Sequence, residues 1–353
     1  MRPLRHRIPG ILATGLLTVF VAFWAYWSVG EFYYEGWNTP FPQPLAYLIP
    51  FAIALALGAA TLVWPRVMGA GIIALSVAFY GWAITMNLQR WGFSWGLILS
   101  WSGMAAFSVL GGALFIVDGR IRARTAPDPR ALAAPWWRRH FRWLCIVGAP
   151  LLIAVAFSAV QLPQIFSRLD DGNRGARLID GNGVRLVWVP AGPGWNWKQP
   201  WGGYPSWDSL AFYGVPPVGL KTARQTGTRH ATADDMARTG LCGYLNEEGT
   251  ALVAEPTHIW RMPTVDEFVR SLTSNNASAG CTFNGERGPA PCRTQPEKET
   301  PLWAPDAQPI YMWTSERSAT DAWYVNYQGY ASHQPKGFGN PRHGYRCVKP
   351  AVP

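Results

Sequence analysis

Five stretches of this chain carry no charged side chain, and each is long enough to cross a lipid bilayer. No Asp, Glu, Lys or Arg lies between Arg7 and Glu31, Glu35 and Arg66, Arg66 and Arg90, Arg90 and Asp118, or Arg142 and Arg168. A bilayer core needs roughly 20 predominantly apolar residues of helix. One such run is compatible with a buried core helix. Five in series predict a transmembrane bundle with spans at 9–30, 44–64, 67–88, 95–117 and 143–164. No comparable run follows Arg168, so residues 165–353 are expected to form one extramembrane domain. The first run opens like a secretory signal, with Arg2, Arg5 and Arg7. It ends in Phe23, Trp24, Tyr26 and Trp27, where a cleavage site needs small residues, and therefore reads as a retained helix.

The connectors set an orientation. The amino terminus, Arg66 and the loop 118–142 (Arg120, Arg122, Arg124, Arg130, Arg138, Arg139, Arg142) place eleven basic residues on one side, against Arg90 alone on the other. The positive-inside rule then puts the amino terminus in the cytoplasm, and five crossings put residues 165–353 outside, in the periplasm of a bacterium. The net charge of +10 follows the same division: residues 168–353 hold 19 Lys+Arg against 17 Asp+Glu, so the excess belongs to the membrane half. It serves topology and interaction with membrane lipid, and no nucleic-acid partner is expected. Tryptophans 24, 27, 37, 82, 91 and 95 fall near the outer span ends, and 64, 136, 137 and 143 near the inner ones, as interfacial indoles do. No ionisable residue sits mid-span, which disfavours a pump or secondary transporter. Glycines 69, 71, 103, 111 and 112 would permit close helix contact.

Four of the five cysteines, Cys242, Cys281, Cys292 and Cys347, fall in the outer domain, while Cys145 lies in the fifth span. An even count in an oxidising compartment reads as disulfides, and four cysteines allow three connectivities. Cys281 and Cys292 flank a Gly/Pro loop, which favours their pairing and leaves Cys242 for Cys347. The spacing lacks any C-x-x-C, and His230, His258, His333 and His343 are scattered, so no metal is expected.

Val184–Val189 reads as a strand. Thr232 opens a helix with Asp234 and Asp235 in its first turn, an apolar stripe at Met236, Leu241, Cys242 and Leu245, and Gly249 beyond its end. Thr264 to Glu267 is a capping box, followed by Phe268, Val269 and Leu272 on one face with Val265. Residues 273–308 read as a long loop, and 310–314, 322–327 and 345–348 as strands. The sum is an α+β domain.

These segments resemble a known superfamily. Trp260-Arg261-Met262-Pro263-Thr264-Val265-Asp266-Glu267-Phe268 resembles the "RLPT-x-x-E" box of the formylglycine-generating (sulfatase-modifying factor) family, and of the related C-terminal domain of collagen-like bacterial adhesins. Leu241–Leu245 resembles the helix cysteine segment upstream of that box, and Val184–Gly192 the family's opening strand. Trp313–Glu316, Ala322–Tyr327 and Gly344–Val348 are similar to the adhesin-type ending. The resemblance covers about 180–349 and implies a C-type-lectin-like fold. The chain departs from the enzymes in its chemistry. Their late copper-binding cysteine pair is missing, because no cysteine lies between Cys292 and Cys347. Pro309–Trp313 stands where their calcium-site segment carries Asn and Glu.

The expectation is a membrane-anchored, extracytoplasmic recognition or accessory protein with a non-catalytic lectin-like domain and no cofactor. The alternatives are an oxidoreductase of that superfamily with altered metal or thiol chemistry, and a membrane assembly scaffold. Candidate ligand-binding residues are Trp195, Trp197, Trp201, Tyr204 and Trp207, aromatics of a Gly/Pro-rich stretch suited to stack on a glycan, a peptide or a protein ligand; core packing is the competing role. No Ser-His-Asp arrangement, phosphate loop or metalloprotease motif is present.

Overall fold

The computed structural model describes residues 8–39, 41–91, 95–124, 135–190, 205–221, 229–339 and 342–351. The chain divides into two compact units, Met1–Pro163 and Gln164–Pro353.

The first unit is helical: α1 (Ile8–Glu31), α2 (Ile49–Val63), α3 (Pro65–Trp91), α4 (Trp95–Arg124) and α5 (Ala149–Phe166). Among the described residues, Ile8–Gly36, Gln43–Val63, Pro65–Met86 and Phe141–Phe166 are long and apolar enough to cross a membrane. Helix α4 occupies the remaining predicted run and extends past it to Arg124. The α2–α3 hairpin turns at Trp64, which leaves the helical region, and Pro65 starts the next helix with a ring that needs no N–H partner.

The glycines divide by role. A Cβ on Gly69 would sit 2.6 Å from the Gly112 carbonyl, and one on Gly112 equally close to that of Gly69, so α3 and α4 touch backbone to backbone there. Gly71, Gly103 and Gly111 have open space at the same position, contrary to the expectation that all five serve close contact. Near the end of α4, Asp118 is buried and accepts two hydrogen bonds from Arg142 at 2.5 and 3.0 Å, with Arg122 Nη2 at 2.6 Å. A Cβ at Gly10 would collide with both the Asp118 carboxylate and the Arg142 guanidinium, so the pair packs onto bare α1 backbone. Bidentate pairing is what makes a buried carboxylate tolerable.

The second unit is α+β. Strands β1 (Arg177–Gly181) and β2 (Val184–Trp188) form a hairpin through Asn182-Gly183, both at positive φ (53° and 80°), as a two-residue hairpin turn requires. Among the described residues the α-helices α6 (Trp207–Ala211), α7 (Ala233–Thr239) and α8 (Val265–Arg270) follow. Each is opened by a reciprocal capping box: Ser206 with Ser209, Thr232 with Asp235, Thr264 with Glu267. The short strands β3 (Thr273–Ser274), β4 (Ala277–Ser278) and β5 (Gly288–Pro289) interrupt the expected long loop. Strands β6 (Tyr311–Glu316), β7 (Asp321–Asn326), β8 (Tyr330–Pro335), β9 (His343–Gly344) and β10 (Val348–Pro350) complete the unit. The larger sheet runs β5-β8-β7-β6-β9, with β9 parallel to β6, and β10 joins the hairpin as β1-β2-β10.

The helix expected from Thr232 through the Cys242 segment is shorter than its apolar stripe suggested. It stops at Thr239 because Gly240 turns extended (φ −67°, ψ 145°). A Cβ there would strike the Met236 carbonyl, so only glycine allows this close reversal. Leu241–Tyr244 then forms a single 3-10 turn whose four residues are all buried.

The cysteines join as Cys242–Cys347 and Cys281–Cys292, the two pairs expected, while Cys145 is free. The first bridge ties the 3-10 turn to the chain entering β10 and crosses a core of Trp207, Leu210, Trp260, Trp313 and Tyr345. A second aromatic group, Trp188, Phe268, Trp303 and Tyr327, meets edge to face. Beside it Arg346 is buried, yet its guanidinium donates to the carbonyls of Val189, Pro301 and Leu302. Burial lowers its pKa to about 9.

Candidate functional site

A pocket of about 180 Å³ opens where α7, the Arg261–Thr264 segment and the end of β6 converge. Trp207 contributes to its lining, yet the side chain is only 1 % exposed and its indole Nε1 donates to the Thr314 carbonyl at 2.8 Å. Of the aromatics expected to face a ligand, Trp207 therefore packs as core and offers the pocket little more than an edge. The short helix α6 is capped at Ser206, which fixes the indole against β6 and turns it inward. Trp195, Trp197, Trp201 and Tyr204 lie outside the described residues.

Polar groups around the pocket are held in place by one another. Lys336 is 0 % exposed. Its Nζ donates to Glu316 Oε1, to the Ala231 carbonyl at 2.7 Å and to the Ala319 carbonyl at 3.2 Å, and it stands 4.9 Å over the Trp207 ring. Three acceptors and a ring face compensate the lost hydration of the ammonium. The second carboxylate oxygen of Glu316 accepts from the Ala233 N–H at 3.0 Å, next to the start of α7. Arg261, also in the lining, forks onto Glu267 at 2.8 and 2.6 Å. The Glu267 hydrogen bond raises the pKa of Arg261. Burial pushes the Glu267 carboxyl up, but the guanidinium and the Thr264 N–H outweigh it and hold the group below the usual range. Ser315 lines the pocket too, its Oγ accepting from the Val265 N–H at 3.3 Å.

Three residues before Ala233, His230 binds Asp208. The carboxylate is buried, accepts from His230 Nδ1 at 2.8 Å and takes the Ala231 N–H at 2.9 Å. The imidazole side chain is 40 % exposed. With the carboxylate as acceptor, Nδ1 carries the proton of this contact. At the foot of α7, Arg229 binds Asp235 in a fork at 2.7 and 3.1 Å, and that hydrogen bond, with the Thr232 cap, holds the Asp235 carboxyl far below its ordinary range.

Sequence reasoning reached Thr264 and Glu267 through the capping box and Arg261 through the Trp260–Phe268 resemblance, named His230 only as a scattered histidine and Glu316 only within Trp313–Glu316, and left out Lys336 and Asp208. Nothing near Lys336 or Glu316 distinguishes them from solvated charges, and the Asp208–His230 pairing spans 22 residues with no fixed spacing to betray it. Among the described residues no three His, Cys, Asp or Glu side chains cluster as metal ligands would. Comparison with family models, curated proteins and solved structures finds no match for this chain.

Proposed function

We propose that the chain is a five-span membrane protein that displays its carboxy-terminal unit outside the cytoplasm as a lectin-like recognition domain, with the pocket beside Trp207 as its ligand site. The observation that carries this reading is the fixed polar wall of that pocket. Glu316 and Arg261 line it and are each tied to partners, Glu316 to the buried Lys336 and Arg261 to Glu267, so the wall presents oriented hydrogen-bonding atoms that lose little freedom on binding. The backbone-tied scaffold and the two disulfides support it, since both bridges suit an oxidising compartment. The fifth span is assigned to α4, and the lectin-like relationship rests on the resemblance of its motifs. A glycan or short peptide fits the volume and the mixture of ring edge and polar rim.

Two experiments test it on the full chain. A periplasmic-type reporter fused after Pro353 should be active, and a cytosolic-type reporter silent; the reverse pattern overturns the topology. Glycan and peptide arrays probed with detergent-solubilised protein should give hits that Ala237→Trp abolishes. Ala237 is exposed and lines the pocket, so the indole fills it without entering the core. Hits that survive Ala237→Trp move the site elsewhere. Stoichiometric copper or iron on the purified chain would favour the oxidoreductase reading instead.

A further inference from the structure

An apolar cavity of about 190 Å³ lies between α1, α2, α3 and α4 and is partly open to the surroundings. Its walls include Leu17 of α1, Ala54 and Thr61 of α2, Leu75 of α3, and Gly111 and Phe115 of α4. Ala54 and Thr61 are seven residues apart, so the cavity runs about 10 Å along the helices. The Thr61 hydroxyl turns back to the Gly58 carbonyl at 2.6 Å and leaves only its methyl for the wall. Water would find few polar partners there.

One end of this space is charged. Asp118 lies about one turn beyond Phe115, and both Arg122 and Arg142 bind it. Arg66 donates to the neighbouring Gly119 carbonyl at 3.1 Å. Two guanidinium groups therefore bind one carboxylate, and a third binds the backbone beside it. Of the other acids in this unit, Glu31 and Glu35 stand at the far end of α1, about 30 Å from Gly10, and Asp128 lies outside the described residues.

We infer that the cavity and its arginine rim hold one anionic phospholipid of the leaflet on the arginine-rich side, an acyl chain in the cavity and the phosphate on Arg66 and Arg122. Arg142 is already committed to Asp118 through both terminal nitrogens and serves to hold the rim on α1. In a bilayer, an apolar space open to the surroundings is filled by an acyl chain. The uncompensated positive charge beside it favours an anionic headgroup over a zwitterionic one, whose ammonium offsets the attraction of its phosphate. The inference rests on α4 being a membrane span and is independent of the role given to the carboxy-terminal unit.

Gly111 supplies the test. It lines the cavity, and a Cβ there meets nothing within 4 Å, so Gly111→Phe projects into the cavity without pushing helices apart. Lipids extracted from full-length protein purified in mild detergent are quantified by mass spectrometry against the whole membrane. Phosphatidylglycerol or cardiolipin should be enriched over phosphatidylethanolamine by roughly tenfold to thirtyfold, as two surface arginines provide. Gly111→Phe should remove most of the retained lipid. Arg66→Gln with Arg122→Gln should retain a lipid but lose the anionic preference, and this rim pair decides the matter alone if Gly111→Phe does not fold. The proposal is overturned by a co-purified composition equal to the bulk membrane, by an unchanged preference in the arginine variant, or by a polyprenyl phosphate or free fatty acid as the occupant.

Discussion

Acidification should destabilise the carboxy-terminal unit through one histidine. His343 is 0 % exposed. Its ring is packed by Tyr311, Trp313, Tyr324 and Phe338, with centroids 5.0, 4.8, 5.0 and 5.6 Å away. Burial lowers its pKa from 6.5 to about 3. Between those values the unfolded chain binds a proton that the folded chain refuses, so stability falls as pH drops below 6.5 and levels off near 3. Each unit of separation is worth about 1.4 kcal/mol, so at about pH 4.5 the loss is about 2.7 kcal/mol relative to neutral pH. Glu297 opposes it: burial raises its carboxyl, so that group adds stability on acidification. Arg168 keeps this counter-effect partial. The assay is pulse proteolysis of the full chain in detergent across a urea series, near neutral pH and near pH 4.5, scoring survival of the carboxy-terminal fragment. His343→Phe keeps an aromatic ring in the cage and removes the titration. It shifts the level of stability, but its pH slope should be smaller by the same 2.7 kcal/mol or so. Equal slopes in the two proteins would refute the argument.

Three other outcomes follow from particular contacts. Alkylation of the unreduced, denatured chain should modify Cys145 alone, and Cys242→Ala with Cys347→Ala should cost about 4–5 kcal/mol by releasing a loop of 105 residues, read as a lowered urea midpoint. Lys336→Met should cost about 3 kcal/mol by stranding Glu316 beside a buried ring, and adding Glu316→Gln should recover a measurable part of it in a double-mutant cycle. Gly112→Val should weaken the α3–α4 contact by about 1–3 kcal/mol, seen as a lower melting temperature in detergent, whereas Gly103→Val, which meets open space, should not.

What the sequence made legible depended on range. Uncharged runs are local and long, so α1, α2 and α3 fall within a few residues of the expected spans, while α4 runs seven residues past its own. The helix start at Thr232 and the capping box at Thr264 are local too, and both form. The cysteine pairing followed from the Gly/Pro loop between Cys281 and Cys292. Helix length failed at Gly240, where the apolar stripe continues in register although the backbone leaves the helix; tertiary packing of the 3-10 turn overrides the period. Strands β1 and β8 were missed, since neither Arg177–Gly181 nor Tyr330–Pro335 is rich in β-branched residues and both owe their shape to neighbours. The pocket was illegible for a similar reason. Its lining comes from segments as far apart as Ala233 and Glu316, and Trp207, expected to face a ligand, is turned inward by a capped helix of only five residues.

The Trp260–Phe268 motif carries fold information, because its key side chains are occupied in building the domain. Trp260 Nε1 donates to the Asn246 carbonyl at 2.8 Å. The Arg261 backbone pairs with Val348 in both directions, at 2.9 and 2.8 Å, which locks the motif to the strand that follows Cys347. Thr264 and Glu267 exchange the cap, and Phe268 sits edge-on between Trp188 and Trp303. None of these groups is left over for chemistry, so a chain can keep the motif through any change of activity. Glu267→Gln should therefore reduce stability by about 1–2 kcal/mol, through the lost Arg261 fork and a weaker cap, and should also weaken ligand binding by the folded fraction, because the fork orients the Arg261 side chain that lines the pocket. The urea midpoint and a binding isotherm on the same preparation separate the two effects. A variant of lowered stability that binds as tightly as the parent would show that the Arg261 fork does not orient the pocket wall, and the ligand site drawn there would fail.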